Sequence, residues 1–199
     1  MPFLHSYRHL DPSPTSVSLA FTSLFLGVPD PDPTGLKRTV VSERFGATLR
    51  IVENSGICET TPGVQTISGY IDIGDNQNYW FWFFGARQSV NASTAPFVLW
   101  FNGGPGCSSM IGLFQEHGPC RVNSDKKTTT LNPNSWNEVA NVLYIDQPVG
   151  AGFSHGTEST VNSDGAATLV WEMLQTFLET FPTYEGRELI FATESYGGH

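Results

Sequence analysis

Three short apolar runs constrain the fold of this chain most: residues 96–101 (PFVLWF), 141–145 (NVLYI) and 188–193 (ELIFAT). Each is only five or six residues long and closes on turn chemistry, as a strand buried in a sheet does. Between the second and third lies one long helical pattern. Asn162 or Ser163 is placed to cap it, and Leu169, Val170, Met173, Leu174, Phe177, Leu178 and Phe181 recur on a single helical face before Pro182 stops it. Strand, turn, helix and strand in this order predict an α/β sheet with a parallel centre. Upstream, residues 65–73 (QTISGYIDI) and 78–84 (NYWFWFF), joined by a Gly74-Asp-Asn-Gln turn, predict antiparallel strands added at one edge. The second of these is apolar on both faces, so it should be covered from both sides. Residues 40–53 have strand composition of uncertain extent around Gly46, 108–116 fit a short helix, and 120–136 read as a polar excursion.

Residues 1–35 are loop chemistry, rich in Pro, Ser and Asp, and the folded part is expected over 36–199. Within that leader, residues 17–28 (VSLAFTSLFLGV) follow Arg8 and resemble the apolar core of a signal peptide, while Asp11, Pro12 and Pro14 interrupt the flank. Both an export signal and an irregular leader stay open. Asn91-Ala-Ser93 is a glycosylation sequon consistent with the secretory route. The net charge of −9 argues against a nucleic-acid partner, because an acidic surface repels phosphate backbones. The longest purely apolar run, residues 79–84, is far below the roughly 20 residues of a membrane span. The three cysteines, Cys58, Cys107 and Cys120, show no C-x-x-C spacing, so no metal site is expected.

Two segments carry chemistry. Thr193-Glu194-Ser195-Tyr196-Gly197 puts a serine between small residues at a strand end, where a sharp turn can lift its Oγ above the sheet as a nucleophile elbow. Alone, that pentapeptide reads first as a polar turn, since small-x-Ser-x-Gly arises often by chance. Trp100-Phe-Asn102-Gly103-Gly104-Pro105-Gly106-Cys107-Ser108-Ser109 changes the reading. Acyl transfer through a serine creates an oxyanion that needs preorganised donors, and a Gly-Gly turn offers N–H groups with no Cβ in the way. The two donors fall to Tyr196, just after the serine, and to the Gly103-Gly104 turn. A phosphate-binding loop is excluded, because no Gly-Lys-Ser/Thr follows and the dinucleotide spacing is missing.

With these segments, residues 97–109 (FVLWFNGGPGCSS), 113–119 (LFQEHGP), 132–137 (NPNSWN), 141–154 (NVLYIDQPVGAGFS) and 194–199 (ESYGGH) resemble the serine carboxypeptidase family, and 57–63 (ICETTPG) and 68–71 (SGYI) are most similar to its fungal members. The resemblance runs from about residue 33 to the end, in order and without large gaps. It implies an α/β-hydrolase fold, a mainly parallel mixed sheet flanked by helices, here incomplete on its C-terminal side. It implies release of C-terminal residues from peptides through an acyl-enzyme, without a cofactor, in an extracellular or vacuolar setting. Ser195 matches the family's nucleophile, and Gly104 and Tyr196 its oxyanion donors. Asn102, Glu116 and Glu194, with the backbone of Gly103, match the group that binds the substrate's free C-terminal carboxylate, and Trp100 matches a wall of that end. Thr193 departs from the glycine usual before the elbow. Members of the family are disulfide-bonded, which implies that Cys107 and Cys120 pair with cysteines beyond this sequence. Two glutamates facing a substrate carboxylate repel it when ionised and donate to it when protonated, so peptide binding should be tightest at acid pH. Trp136, Asp146 and Phe153 belong to the matching blocks as scaffold.

The catalytic order exposes a gap. In α/β hydrolases the acid and the histidine follow the serine. Here no Asp follows Ser195, and the only later His is His199, on the nucleophile's own turn. His117 and His155 precede the serine, and no motif makes either a base. Asp146 ends a strand but also precedes it. Two readings follow: an acid-acting serine exopeptidase whose Asp and His lie in further sequence, leaving these residues inactive by themselves, or a non-catalytic truncated product that binds peptides at most. Carboxypeptidase-like acyltransferases share the same blocks, but the Asn102, Glu116 and Glu194 clamp makes sense for a free carboxylate and so favours a peptidase. A strand at 188–193 with one edge unpaired should also make the product poorly soluble when expressed alone.

Overall fold

The computed structural model describes residues 35–87, 94–157 and 162–199. The leader and the sequon at Asn91 lie outside them. Ten strands are described. β1 (Leu36–Ser42) and β2 (Ala47–Glu53) form a hairpin, so the stretch 40–53 is the end of one strand, a turn and a second strand. β3 (Thr66–Ile73) and β4 (Gln77–Phe84) form the next hairpin, across the turn expected at Gly74. Then come β5 (Phe97–Phe101), a small hairpin of β6 (Cys120–Val122) and β7 (Thr129–Leu131), β8 (Asn141–Ile145), the two-residue β9 (His155–Gly156), helix α1 (Ser163–Thr180) and β10 (Leu189–Thr193).

The main sheet runs β1-β2-β3-β4-β8-β5-β10, with β9 paired to β4. Pairing is parallel between β8 and β5 and between β5 and β10, the expected parallel centre. Its other pairs are antiparallel, so the sheet is mixed and its antiparallel part is the larger among the described residues.

Alternation along β4 explains how both of its faces are covered. Tyr79, Phe81 and Phe83 face α1, where Phe177 lies 5.7 Å from Phe81, 5.2 Å from Phe83 and 5.7 Å from Phe97, ring centre to ring centre. Each phenyl ring taken fully out of water contributes roughly 2–3 kcal/mol, so this cluster holds α1 to the sheet. Asn162 caps the helix as predicted, its Oδ1 accepting the Gly165 N–H at 2.9 Å, and Pro182 follows the C-cap Phe181. On the opposite face Phe84, Val98, Trp100, Val142 and Tyr144 pack under Met110, Leu113 and the Cys58–Cys120 disulfide, with Trp80 and Trp82 partly covered.

That disulfide corrects one expectation. Cys120 is bonded to Cys58, with Cα atoms 5.1 Å apart, rather than to a cysteine outside the sequence, and Cys107 is free and exposed. An odd count forbade pairing of all three but not of two. Among the described residues, no helix is long and apolar enough to cross a membrane.

Candidate active site

Because β5 and β10 are parallel neighbours, with Phe101 opposite Thr193, the chain leaves both strands at the same end of the sheet. Asn102–Ser109 therefore emerges beside Glu194–Gly198. The second segment makes the sharp turn its sequence suggests. Glu194 is extended (φ −123°, ψ 155°), Ser195 is left-handed (φ 51°), and residues Ser195–Gly198 wind into a 3₁₀ turn. A side chain other than glycine adopts that conformation at a cost of roughly 1–2 kcal/mol, and it holds the serine exposed at the strand's end.

The two segments meet main chain to main chain. A Cβ on Gly103 would stand 2.4 Å from the Tyr196 nitrogen and 2.8 Å from the Glu194 carbonyl oxygen, so only glycine fits. The Gly-rich turn and the N–H of the residue after the serine are thereby brought side by side. Asn102, Gly103, Pro105, Tyr196 and His199 border a cavity of about 460 Å³ whose far wall is α1, through Val170 and Trp171.

Asn102, 2% exposed, is the best-defined side chain here. Its Oδ1 accepts the Trp100 indole N–H at 2.8 Å and the Gly112 N–H at 3.1 Å. Both partners are pure donors, so the amide can face only one way. Its Nδ2 then donates to Glu194 Oε1 at 2.6 Å. Helical periodicity alone misses how Gly112 takes part. Its N–H is given to Asn102, and a Cβ there would lie 2.3 Å from the indole nitrogen of Trp100. The helix expected at 108–116 instead widens into a π-helical turn over Gly112–Glu116, closed by His117 N–H to the Gly112 carbonyl at 3.0 Å.

The structure therefore brings Trp100, Asn102, Gly103 and Glu194 into direct contact. Glu116 ends the π turn half-buried. Its carbonyl accepts from Arg121, and its charge reaches the Tyr144 phenol, already raised by burial and raised further by that charge. Among the described residues no hydrogen bond joins the Glu116 carboxylate to Asn102 or Glu194. Gly104 sits on the turn that Gly103 presses against the elbow.

None of the three histidines downstream of Glu116 is hydrogen-bonded to Ser195. His117 is 9% exposed, its Nδ1 lies 3.1 Å from the Tyr144 hydroxyl, its ring stacks on Trp136 at 3.8 Å, and it meets Trp100 edge-on at 4.3 Å. Burial, helped by the Arg121 charge, lowers its pKa to about 4. His155 lies on β9 against Tyr70, and His199 lies beside Tyr196. Asp146 bonds the segment 108–109, not a histidine. The aromatic support of Trp100 by His117 and Trp136 was not legible in the sequence, where both sat in matching blocks without a stated partner.

Known proteins match the same residues. The family model described as serine carboxypeptidase matches residues 56–199. Carboxypeptidase S1 of Penicillium janthinellum is 58% identical over 148 residues, which cover 74% of this chain and 34% of that protein. Carboxypeptidase Y of Schizosaccharomyces pombe is 40% identical over 152 residues, covering 76% of this chain and 15% of that protein. The crystal structure of Kex1(delta)p, a prohormone-processing carboxypeptidase from Saccharomyces cerevisiae, superposes with a TM-score of 0.59 at 32% identity, over 72% of this chain and 34% of that one. This chain thus spans about a third or less of the length of these relatives. With Ser195 on a left-handed elbow, the Gly-rich turn pressed against it, and these matches over the same residues, the chain belongs to the serine carboxypeptidase family and takes its α/β-hydrolase fold.

Proposed function

We propose that these residues supply the nucleophile, the oxyanion donors and the carboxylate-binding end of a serine-type carboxypeptidase site. Ser195 Oγ attacks the carbonyl carbon of the last peptide bond, and the N–H groups of Gly104 and Tyr196 receive the oxyanion. The terminal amino acid leaves with a proton on its nitrogen, and water then hydrolyses the Ser195 ester. The base that takes the serine proton is assigned to a group outside the described residues, since His117 and His155 are packed elsewhere and His199 lies on the nucleophile's own turn against Tyr196. The described residues by themselves are therefore expected to bind without turning over.

The observation that carries this reading is the oriented Asn102 amide. It bonds Glu194 immediately before the serine and keeps its second N–H for a ligand oxygen. An amide donor and a carboxyl group side by side suit a free carboxylate, with Glu116 and Trp100 completing that end. The Cys58–Cys120 disulfide favours an oxidising compartment, and with the sequon at Asn91 supports the secretory route over a cytosolic one. Loss of a glycan-dependent mass shift in Asn91→Gln, on secretion from a eukaryotic host, is the check.

The functional test is equilibrium binding of an N-acyl dipeptide, as the free acid and as its C-terminal amide, followed by tryptophan fluorescence. The acid should bind at least tenfold tighter than the amide at pH 5. Equal affinity for acid and amide at pH 5 would overturn the reading. A fluorophosphonate should label the chain no faster than it labels Ser195→Ala.

A further inference from the structure

Asp146, just after β8, is a fully buried carboxyl group that this chemistry leaves unused, 0% exposed. Its Oδ1 accepts the Ser108 hydroxyl at 2.7 Å and the Ser109 N–H at 2.8 Å, and its Oδ2 accepts the Phe153 N–H at 2.9 Å. The Met110 N–H is given to Ser108 Oγ at 3.2 Å, which leaves the Ser108 proton for Asp146. Every partner donates, so the group is built to be an acceptor on both oxygens. Burial holds its carboxyl above the ordinary value, and the bonds from Phe153, Ser108 and Ser109 offset that only in part.

What these bonds hold is a loop base. The Gly-rich loop leaves β5 at Asn102 and returns at Ser108. The Asn102 N–H donates to Ser109 Oγ at 3.2 Å, while the Ser109 N–H is held by Asp146. Both ends of loop 103–107 are thereby tied, directly or through one serine, to a single carboxylate on the neighbouring parallel strand. Inside the loop, Cys107 N–H bonds the Gly103 carbonyl at 3.0 Å. A short loop's shape follows from where its ends are fixed, and this one carries Gly103 and Gly104 on its span and Asn102 at its foot.

We propose that Asp146 is the positioning residue of this site: it staples the base of the Gly-rich loop and so sets both the Gly104 N–H and the Asn102 amide. The assignment rests on the functional reading above. It also gives the IDQPVGAGFS segment a purpose, since that one stretch supplies both the carboxylate, at Asp146, and the Phe153 N–H that holds its Oδ2.

The test uses the 199-residue chain and three variants. Asp146→Asn turns an amide N–H towards a backbone donor. Ser109→Ala removes only the link to Asn102. Ser154→Ala is the control, because Ser154 Oγ is equally buried on the same segment but bonds the Asp146 carbonyl and the Trp80 N–H, not the loop. The acid-over-amide binding preference should fall at least tenfold in Asp146→Asn and threefold or more in Ser109→Ala, and stay unchanged in Ser154→Ala, whatever each does to stability. Amide hydrogen exchange at Gly103 and Gly104 should quicken at least tenfold in Asp146→Asn relative to amides of β8. A preference retained in both loop variants, or lost equally in Ser154→Ala, would overturn the proposal. If the unaltered chain shows no preference, the functional reading falls, and unchanged exchange at Gly103 and Gly104 would then still dismiss Asp146 as the staple.

Discussion

The side-chain amide of Asn102 donates to the Glu194 carboxylate across 2.6 Å, joining the end of β5 to the turn after β10. Replacing Asn102 with Asp keeps the acceptor for Trp100 and Gly112 but sets a second carboxyl against Glu194. The acid-over-amide preference should fall at least tenfold at pH 7, because the donor at position 102 is lost and a like charge is gained. Titrating the variant with both ligands at that pH checks this.

His117 predicts an acid-sensitive fold. Its folded pKa is about 4 against an ordinary 6.5, so between those values the unfolded chain binds more protons than the folded one. Stability therefore rises with pH across that window, is complete above 6.5 and is lost as pH falls through 4. His117→Phe keeps a ring against Trp136 and removes the titration. The difference between the parent's and the variant's urea stabilities should change by roughly 2–3 kcal/mol between pH 4 and 7.

Arg87 and Glu59 form a buried ion pair, 2.6 Å apart with side chains 5% and 0% exposed. Arg87 also binds Glu138 and the carbonyls of Asn132 and Pro119. Burial opposes the charge on Glu59, but bonds from Thr61, Asn137 and Arg87 outweigh it and hold the carboxyl below its ordinary value. Arg87→Met should destabilise by roughly 3–5 kcal/mol in urea unfolding, since it strands that carboxylate. Adding Glu59→Gln should recover part of the loss, and no recovery would show that the pair is not the cause.

The strands and α1 were legible because their signals are local. β8 lies at 141–145, as its apolar run and flanking turn chemistry require, and Asn162 caps α1 because its side chain reaches an N–H three residues on. The turn at 108–116 was not legible in detail, because its shape is decided by Asn102, a side chain on another element that takes the Gly112 N–H. The same holds for the disulfide, whose two cysteines are set by packing across the sheet face. Of the candidate site, the residue types and their order could be read. That Asn102 bonds Glu194 while Glu116 bonds neither could not, because it depends on the register of β5 against β10.

The Cys58–Cys120 bridge spans 62 residues, which predicts that removing it in the Cys58→Ala, Cys120→Ala double variant costs roughly 2–4 kcal/mol, read as a lower Tm. A thiol reagent should find one reactive group per unreduced, denatured chain, Cys107, and three after reduction. Three before reduction would refute the bridge.

The contact at Gly103 has a consequence for how such a surface can diversify. Where two side chains touch, one can be exchanged and the other can follow; two main chains offer nothing to exchange. The loop of Gly103 and the elbow of Tyr196 are joined in that second way. A saturation library at position 103 should yield glycine alone, and new ligand preferences should arise instead at Val170 and Trp171, whose side chains line the far wall of the same cavity and can vary around a seam that cannot.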